Sequence, residues 1–420
     1  MARKRFVVWP WVTVAILVAA GTAAWQNSDL GRASGDLERQ RDAAKREGVP
    51  TEWADLYHLA PALPDENNAA VPYGFAFVSL KSSGDFKGVK LGQLILAIAD
   101  GSAKPADVAA LRAVLKTTEP ALTLAKEGSG RAGLSFNREW EKGAALLFPE
   151  YSYARHLVQA LVLRAMLADN PAAAADDLRA AARIRAHIGS EPVLIAELMA
   201  NGIEADVHQG IRYLGRRGGP WTSAVAPALD DLGAIPPLRT TLASEAVWGA
   251  HFGDEIQRAG GIQGFSSMYG QTPGELRLVG FSPVRRAMEA RVYEYWRNAW
   301  KSLPNDPTDF RKASEALKAP TTEKGPSYAM LQFLLPVFDQ FAQSNARAEA
   351  DRRLTRTALD LWMGKSPALP KDPFGNGPLH LKRNGSDWTL YSIGPDGIDQ
   401  GGKVHVKGND ATYDMVVKSP

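Results

Sequence analysis

A charge-free segment near the N-terminus constrains this chain more than any other feature. Residues 6–25, with the sequence FVVWPWVTVAILVAAGTAAW, contain no charged side chain. A helix rises about 1.5 Å per residue, so a helix of this length spans about 30 Å, the thickness of the hydrocarbon core of a bilayer. The segment therefore predicts a single-pass membrane anchor, with the lipid bilayer as a partner through residues 6–25.

The residues that flank this segment predict its orientation. The basic residues 3–5 are the only charged residues before Asp29, and basic flanks of membrane helices stay in the cytoplasm. The N-terminus is then cytoplasmic, and the bulk of the chain is extracytoplasmic. A cleaved signal peptide is the alternative, because residues 22–24 are small enough for a cleavage site. Both interpretations export the body of the chain, and the length of the apolar run favours the retained anchor.

Charge and composition exclude several classes of function. The chain has 49 Lys and Arg against 46 Asp and Glu, and the excess equals the three basic residues at 3–5. The rest of the chain is neutral, which argues against a nucleic-acid partner. The chain has no Cys, which excludes disulfides, thiolate zinc sites and a lipoprotein anchor. Its 45% hydrophobic content excludes a mainly disordered chain.

Beyond the anchor, the sequence pattern predicts three segments. Residues 26–50 are almost wholly polar and rich in helix formers, which predicts a solvated helical stalk. Residues 51–364 repeat apolar positions at three- and four-residue intervals between Pro and Gly breaks, which predicts an α-helical body. Residues 365–420 contain short β-prone runs between turn residues. The predicted fold is therefore mainly α, an extracytoplasmic helical array with a small C-terminal antiparallel β cassette.

One helix pair in the body has clear helix start and stop signals. The apolar run 152–169 is followed by Asn170 and Pro171, a helix cap and a first-turn proline, and Gly189 ends the second helix. Ser190 is expected to cap the next helix. The second helix should bury one stripe of residues, Leu178, Ala181, Ala182, Ile184 and Ile188. Residues 164–184 resemble one tetratricopeptide-type unit, but no second copy follows, so the prediction is a general helical array.

The C-terminal segment resembles a known family. DPFGNGPLHL followed by DWTLYSIGPDGIDQGG is similar to the C-terminal loop of the major pseudopilins of type II secretion. The matching positions are the turn 372–376 and the loop residues Ser392, Gly394, Asp396 and Gly397. The same ending is similar to that of bacterial membrane-anchored envelope proteins, which implies the bacterial inner membrane as the location. The segment 6–25 lacks the preceding Gly and the early Glu of pilin subunits, so assembly into a pilus is not expected.

The resemblance implies a calcium-binding loop, and the residue types fit one. Calcium takes six to eight hard oxygen ligands, and four carboxylates lie in this Gly-rich segment, Asp396, Asp399, Asp410 and Asp414. The alternative is that these side chains cap tight turns. Lys403 and Lys407 bring positive charge near these carboxylates, which favours turn capping. Ca²⁺ is the one cofactor that the sequence leaves to be considered.

No strong catalytic motif occurs in the chain. It has no HExxH, P-loop, dinucleotide-binding glycine pattern or GxSxG elbow. Glu204 and His208 are four residues apart, as are His251 and Glu255, so each pair shares a helix face. The two pairs could form a two-helix carboxylate–imidazole site, but di-iron helices use a three-residue spacing, which favours intrahelical ion pairs. The sequence nominates no catalytic residue.

These features predict a function of binding rather than catalysis. A stalk, a neutral body and Ala-rich helix pairs are typical of helical arrays with concave protein-binding surfaces. The prediction is a scaffold or assembly protein that binds other envelope proteins or a second copy of itself. The alternative is an anchored extracytoplasmic hydrolase with a site between the helices and the 251–283 loop.

Overall fold

The protein is mainly helical, with one small sheet near the C-terminus. The computed structural model describes residues 18, 20–26, 28–82, 86, 89–261, 263–264, 274–318, 325–334, 336–403 and 414–419. Helices account for most of these residues, and three antiparallel strands form a sheet near the C-terminus. The predicted fold class of helices followed by a small antiparallel sheet is confirmed.

The helices are numbered in chain order. They are α1 (Asp29–Arg46), α2 (Trp53–Leu59), α3 (Ala70–Ser82), α4 (Leu91–Asp100), α5 (Pro105–Thr117), α6 (Glu119–Ser129), α7 (Pro149–Met166), α8 (Pro171–Gly189), α9 (Leu194–Gly215), α10 (Pro220–Val225), α11 (Leu238–Thr241), α12 (Ala243–Arg258), α13 (Ser282–Ser302), α14 (Phe310–Ala316), α15 (Ala329–Leu334) and α16 (Pro336–Trp362). Short 3₁₀ segments lie at Trp140–Ala145, Ala226–Leu229, Gly274–Gly280 and Pro326–Tyr328.

The chain forms two compact units. The first contains the described residues up to Trp53 together with those of Glu245–Ser302 and Ala316–Val337. The second contains Ala54–Ser244, Leu303–Glu315 and the described residues from Phe338 onward. Each unit is thus assembled from segments that are distant in sequence.

In the first unit, α1 packs along α13. The helix predicted at 26–50 is present, but it is not solvated on all sides. Its Ala33, Leu37 and Ala44 are buried, because these few apolar residues lie on one helix face. At the end of α1, Glu47 accepts two hydrogen bonds from Arg297, of 2.6 and 2.9 Å. The mainly polar composition of residues 26–50 did not indicate this narrow apolar stripe.

The core of the second unit is formed by α7, α8 and α9, which pack against one another. The stripe predicted on α8 is buried at every position, and the Asn170 side chain caps the helix by accepting the amide of Ala173 at 2.8 Å. The cap predicted at Ser190 is wrong, because α9 begins after Val193 without a side-chain cap. The Ser190 hydroxyl donates instead to the carbonyl of His187, at the end of the preceding helix.

The C-terminal sheet has the strand order β1 (His380–Asn384), β2 (Asp387–Ser392) and β3 (Met415–Lys418). Both pairings are antiparallel, with Leu381 opposite Leu390 and Leu390 opposite Val417. Leu390 and Val417 belong to a buried cluster that includes Leu354, Ala358 and Leu361 of α16. The sheet is therefore packed on the last helix of the second unit.

No helix formed by the described residues is long and apolar enough to cross a membrane. Residues 6–17 of the predicted anchor lie outside the described residues, and residues 20–25 are helical.

Candidate functional site

The second unit contains an open cleft between α4, α7 and α9. Its volume is about 770 Å³, within the range of ligand-binding clefts in proteins. One wall is apolar and comes from the start of α4 and the residues before it, Phe86, Val89, Leu91 and Leu96. The facing wall is polar and comes from α7 and α9, with Arg155, His156, Gln159, Asp206 and Gln209. The cleft is therefore amphipathic.

Helix α4 lies close to Gln159 of α7 at Gly92. A Cβ atom at this position would lie 3.1 Å from Nε2 of Gln159, closer than ordinary van der Waals contact. Gln159 is thereby held at the floor of the cleft, where its Nε2 donates to Asp206 at 2.9 Å.

The exposed side chains of the cleft include one large apolar residue, two cations and Gln93. Leu96 is 54% exposed. Lys90 and Arg155 are exposed as well. Burial raises the pKa of Asp206, although the hydrogen bond from Gln159 and the charge of Arg155 oppose this effect. The carboxylate is largely withdrawn from solvent, so the rim of the cleft is cationic.

A second depression, of about 530 Å³, lies between α5, α6, α7 and α8. Most of its charged residues pair with one another: Lys126 with Asp176, and Arg164 with Glu119 and, at 2.7 Å, with Asp177. Groups that already compensate each other offer little to a ligand, so the first cleft is the stronger candidate.

Another face of α9 carries a buried polar stripe. Its members follow the helical repeat and are largely withdrawn from solvent, Glu197, Asn201, Glu204, His208 and Arg212. This stripe faces α16, where Asn201 donates to Asn345 at 2.8 Å and Arg212 donates to Thr355 at 2.8 Å. Helix α9 therefore has two functional faces, one toward the cleft and one toward this buried network.

Two arginines compensate the two buried glutamates. Arg185 of α8 lies 2.8 Å from Oε1 of Glu197 and 2.7 Å from Oε2 of Glu204. Arg352 of α16 donates to both oxygens of Glu204, at 2.5 and 2.8 Å. Three helices are thus held by one ion-pair network. A buried pair of this kind is costly to break, because removal of one partner leaves an uncompensated charge.

The two glutamates have opposite pKa shifts. Burial raises the pKa of Glu197 to about 7, against the attraction of Arg185, and the charge of Glu204 adds to the rise. Burial would also raise the pKa of Glu204, but the hydrogen bond from Arg352 and the charge of Arg185 outweigh it and hold that pKa well below its usual range. Glu204 is therefore the permanent anion, and Glu197 titrates near neutral pH.

This difference makes the stability of the protein depend on pH. The pKa of Glu197 has its ordinary value of 4.5 in the unfolded chain and is about 7 in the folded protein. The contribution of Glu197 to stability is therefore greatest below pH 4.5 and is lost as the pH rises to 7. The free energy of unfolding of the wild type minus that of Glu197→Gln should fall by about 3 kcal/mol over this range. Urea unfolding at a series of pH values measures this difference.

Both the wild type and Glu197→Gln must be measured, because His187 changes the free energy of unfolding with pH in the opposite direction. Burial lowers the pKa of His187 to about 4, although its hydrogen bond to the carbonyl of Arg131 opposes the shift. This histidine therefore adds stability as the pH rises from 4 to 6.5, equally in both proteins. A pH-independent difference would contradict the assignment to Glu197.

The structure treats the two predicted Glu–His pairs differently. Nε2 of His208 lies 3.3 Å from Oε1 of Glu204. This pair makes the intrahelical contact that its four-residue spacing predicts. His251 hydrogen-bonds the carbonyl of Thr51 at 3.1 Å and stacks on Trp53, while Glu255 pairs with Arg258. The expectation of an ion pair between His251 and Glu255 is therefore wrong, because each side chain has a nearer partner.

The described members of the predicted calcium set accept hydrogen bonds from their own loop. Asp414 accepts the amides of Gln400, Gly402 and Lys403, Asp399 accepts that of Gly401, and Asp396 accepts that of Ile398. Asp410 lies outside the described residues. Among the described residues, no group of three or more His, Asp or Glu side chains is arranged to hold a metal ion. The described carboxylates therefore act as turn-capping side chains in this structure, and calcium binding stays a prediction.

The pseudopilin-like turn and loop meet through a buried aspartate. Oδ1 of Asp372 accepts the amide of Phe374 at 3.0 Å and the hydroxyl of Ser392 at 2.7 Å, and Oδ2 accepts the amide of Ile393 at 2.9 Å. Asp372 is 1% exposed. The structure therefore gives two of the resembling positions, Asp372 and Ser392, a shared structural role.

Comparison of the chain with protein-family models, with curated proteins and with solved structures gives no match. The interpretation of the cleft therefore rests on its own geometry.

Sequence reasoning missed both the cleft and most of the network. The signal for the network was present, because polar residues at 197, 201, 204 and 208 recur at four- and three-residue intervals within an apolar helix. The cleft has no comparable signal, since its walls come from three helices whose mutual packing is not encoded in any one of them.

Proposed function

We propose that this chain is a membrane-anchored envelope protein of a bacterial inner membrane that acts as a scaffold. Its bulk is extracytoplasmic, and its second unit binds a segment of another envelope protein or of a second copy of the chain. The observation that supports this proposal is the amphipathic cleft between α4, α7 and α9, with Leu96 exposed in its wall. Exposed apolar side chains within a polar rim are typical of protein-binding surfaces.

The form of the cleft supports binding rather than chemistry. Its polar groups are mainly amides and cations, which recognise a ligand through hydrogen bonds and charge. The alternative, an anchored hydrolase with a site at the 251–283 loop, involves residues 265–273, which lie outside the described residues. In the described part of that segment, His251 hydrogen-bonds the carbonyl of Thr51 and stacks on Trp53.

Site-specific photo-crosslinking in intact cells tests the proposal. A photoreactive amino acid at Leu96 should give a discrete crosslinked product with a protein, and this product should remain with the membrane fraction after carbonate extraction. The matched control is Leu147, an exposed leucine of the same unit outside the cleft, which should give no such product.

Two results would contradict the proposal. Equal crosslinking at Leu96 and Leu147 would mean that the cleft is not a binding site. A Leu96 product that is released from the membrane would remove the anchor from the proposal, because a cleaved and soluble export product would behave in this way.

A further inference from the structure

The cleft has one cationic side chain on each of its two walls, Lys90 and Arg155. Lys90 precedes the first residue of α4, and no side chain caps this helix N-terminus. Gly92 and Gln93 of the first turn line the cleft, so the positive end of the helix dipole adds to the charge of Lys90 at this place. Arg155 lies on the facing wall and is 46% exposed at its side chain.

The one carboxylate among the described residues that line the cleft compensates only one of the two cations, Arg155. Asp206 has only 14% of its side chain exposed, and its distance from Nε of Arg155 is 3.8 Å, longer than a hydrogen bond. Its nearer partner is Gln159, at 2.9 Å. The charges that a ligand can reach are therefore those of Lys90 and Arg155, together with the positive end of α4, and their sum favours an anion.

Two glutamines indicate what the rest of the ligand is. Gln93 and Gln209 line the cleft, and within the described part of the chain neither side chain has a hydrogen-bonding partner. A side-chain amide both donates and accepts hydrogen bonds, and so complements a peptide group. It can do so only where the partner's backbone groups are not already used inside a helix. This points to an extended peptide rather than to a helix or an acyl chain.

On the basis of the proposed function, we propose that the cleft binds an extended segment of a partner protein in which an acidic residue lies two or three positions from a large apolar residue. The acidic group contacts Lys90 at the start of α4 and Arg155 on the facing wall, and the apolar side chain covers Leu96. Six residues of helix from Lys90 to Leu96 rise about 9 Å. An extended peptide covers this distance in about three residues, which sets the spacing.

Selection from a phage-displayed library of random twelve-residue peptides tests this proposal. The target is the full chain in phosphatidylcholine nanodiscs, with Leu96→Asp as the counter-target. The enriched peptides should share an acidic residue two or three positions from Leu, Ile, Phe or Met. An enriched peptide should bind Lys90→Glu at least about threefold more weakly than the wild type, because the exposed charge attraction is reversed.

Matched variants separate the cleft from general effects. Lys104 occupies the equivalent position before α5, is exposed and does not line the cleft, so Lys104→Glu should bind the same peptide with unchanged affinity. Leu147→Asp is the corresponding control for Leu96→Asp. Neutral or basic enriched peptides, or peptides retained by Leu96→Asp, would overturn the proposed chemistry of the partner, as would a library with no enriched peptide.

The two proposals can fail separately. If Leu96 crosslinks to a protein in cells but the selected peptides lack the acidic and apolar pair, the cleft binds a protein of another chemistry. If Leu96 gives no crosslink in cells, the proposed scaffold function fails, whatever peptides are selected.

Discussion

Replacement of Arg185 by methionine should lower the free energy of unfolding by about 3–5 kcal/mol at pH 8, the range for breaking a buried ion pair by removing one partner. Arg185 is fully buried and bridges Glu197 and Glu204. Methionine fills much of the same space but leaves the charge of Glu197 without its nearest cation. The loss should be smaller at pH 5, because Glu197, whose pKa is about 7, is then protonated. Urea unfolding at both pH values measures the two effects.

Arg183 provides the matched control on the same helix. Its Nε lies 3.2 Å from Asp231 in an ion pair that is 37% exposed at the arginine, so Arg183→Met should cost less than about 1 kcal/mol. Addition of Glu197→Leu to Arg185→Met should recover part of the loss, since it removes the uncompensated carboxylate. Equal losses for the two arginine variants would show that the buried network does not stabilise the fold.

Replacement of Asp372 by alanine should lower the free energy of unfolding by about 2–5 kcal/mol, because it leaves the amides of Phe374 and Ile393 and the hydroxyl of Ser392 without their acceptor. The bonds from Ser392 and Ile393 join the end of β2 to the turn before β1, and the bond from Phe374 lies within that turn. Asp372→Asn should also be destabilising, since its amide group places a donor opposite one of these donors. The thermal unfolding of the full chain, followed in the sheet by hydrogen exchange, measures the loss.

Asp396 is the matched control for this aspartate and also tests calcium binding. It is exposed and accepts the amide of Ile398 and the side chain of Gln400, so Asp396→Ala should cost about 1 kcal/mol or less. The melting midpoint of the wild type should be unchanged by calcium, magnesium or chelator. A midpoint that rises with calcium alone, and no longer rises in Asp396→Ala, would contradict turn capping and establish a metal site.

The two faces of α9 give these experiments separate readouts. Gln209 and Asp206 line the cleft, whereas Glu204 and His208 lie in the buried network. Variants of the network are expected to change stability, and variants of the cleft are expected to change binding. A network variant that weakens binding only by destabilising the fold should do so in proportion to the unfolded fraction.

The helices and their ends were largely determined by local sequence. The cap at Asn170 is a hydrogen bond to a residue three positions away, and the buried stripe of α8 follows from the helical repeat alone. The hydrophobic period changes after Pro370, and this change predicted the sheet, because strand alternation is visible over a few residues. Interactions within one or two turns are therefore readable from the chain.

The chemistry of the second unit was decided only by the tertiary structure. Sequence periodicity shows which face of the helix carries Glu204. It does not show that Arg185 and Arg352 pack against that face, and Arg352 is 148 residues away from Glu204 in the sequence. The cleft likewise depends on how α4, α7 and α9 pack, with Gly92 lying close to Gln159. The helical repeat specifies which side chains share a face, whereas the partner of that face follows from long-range packing, in which many apolar surfaces of similar composition compete.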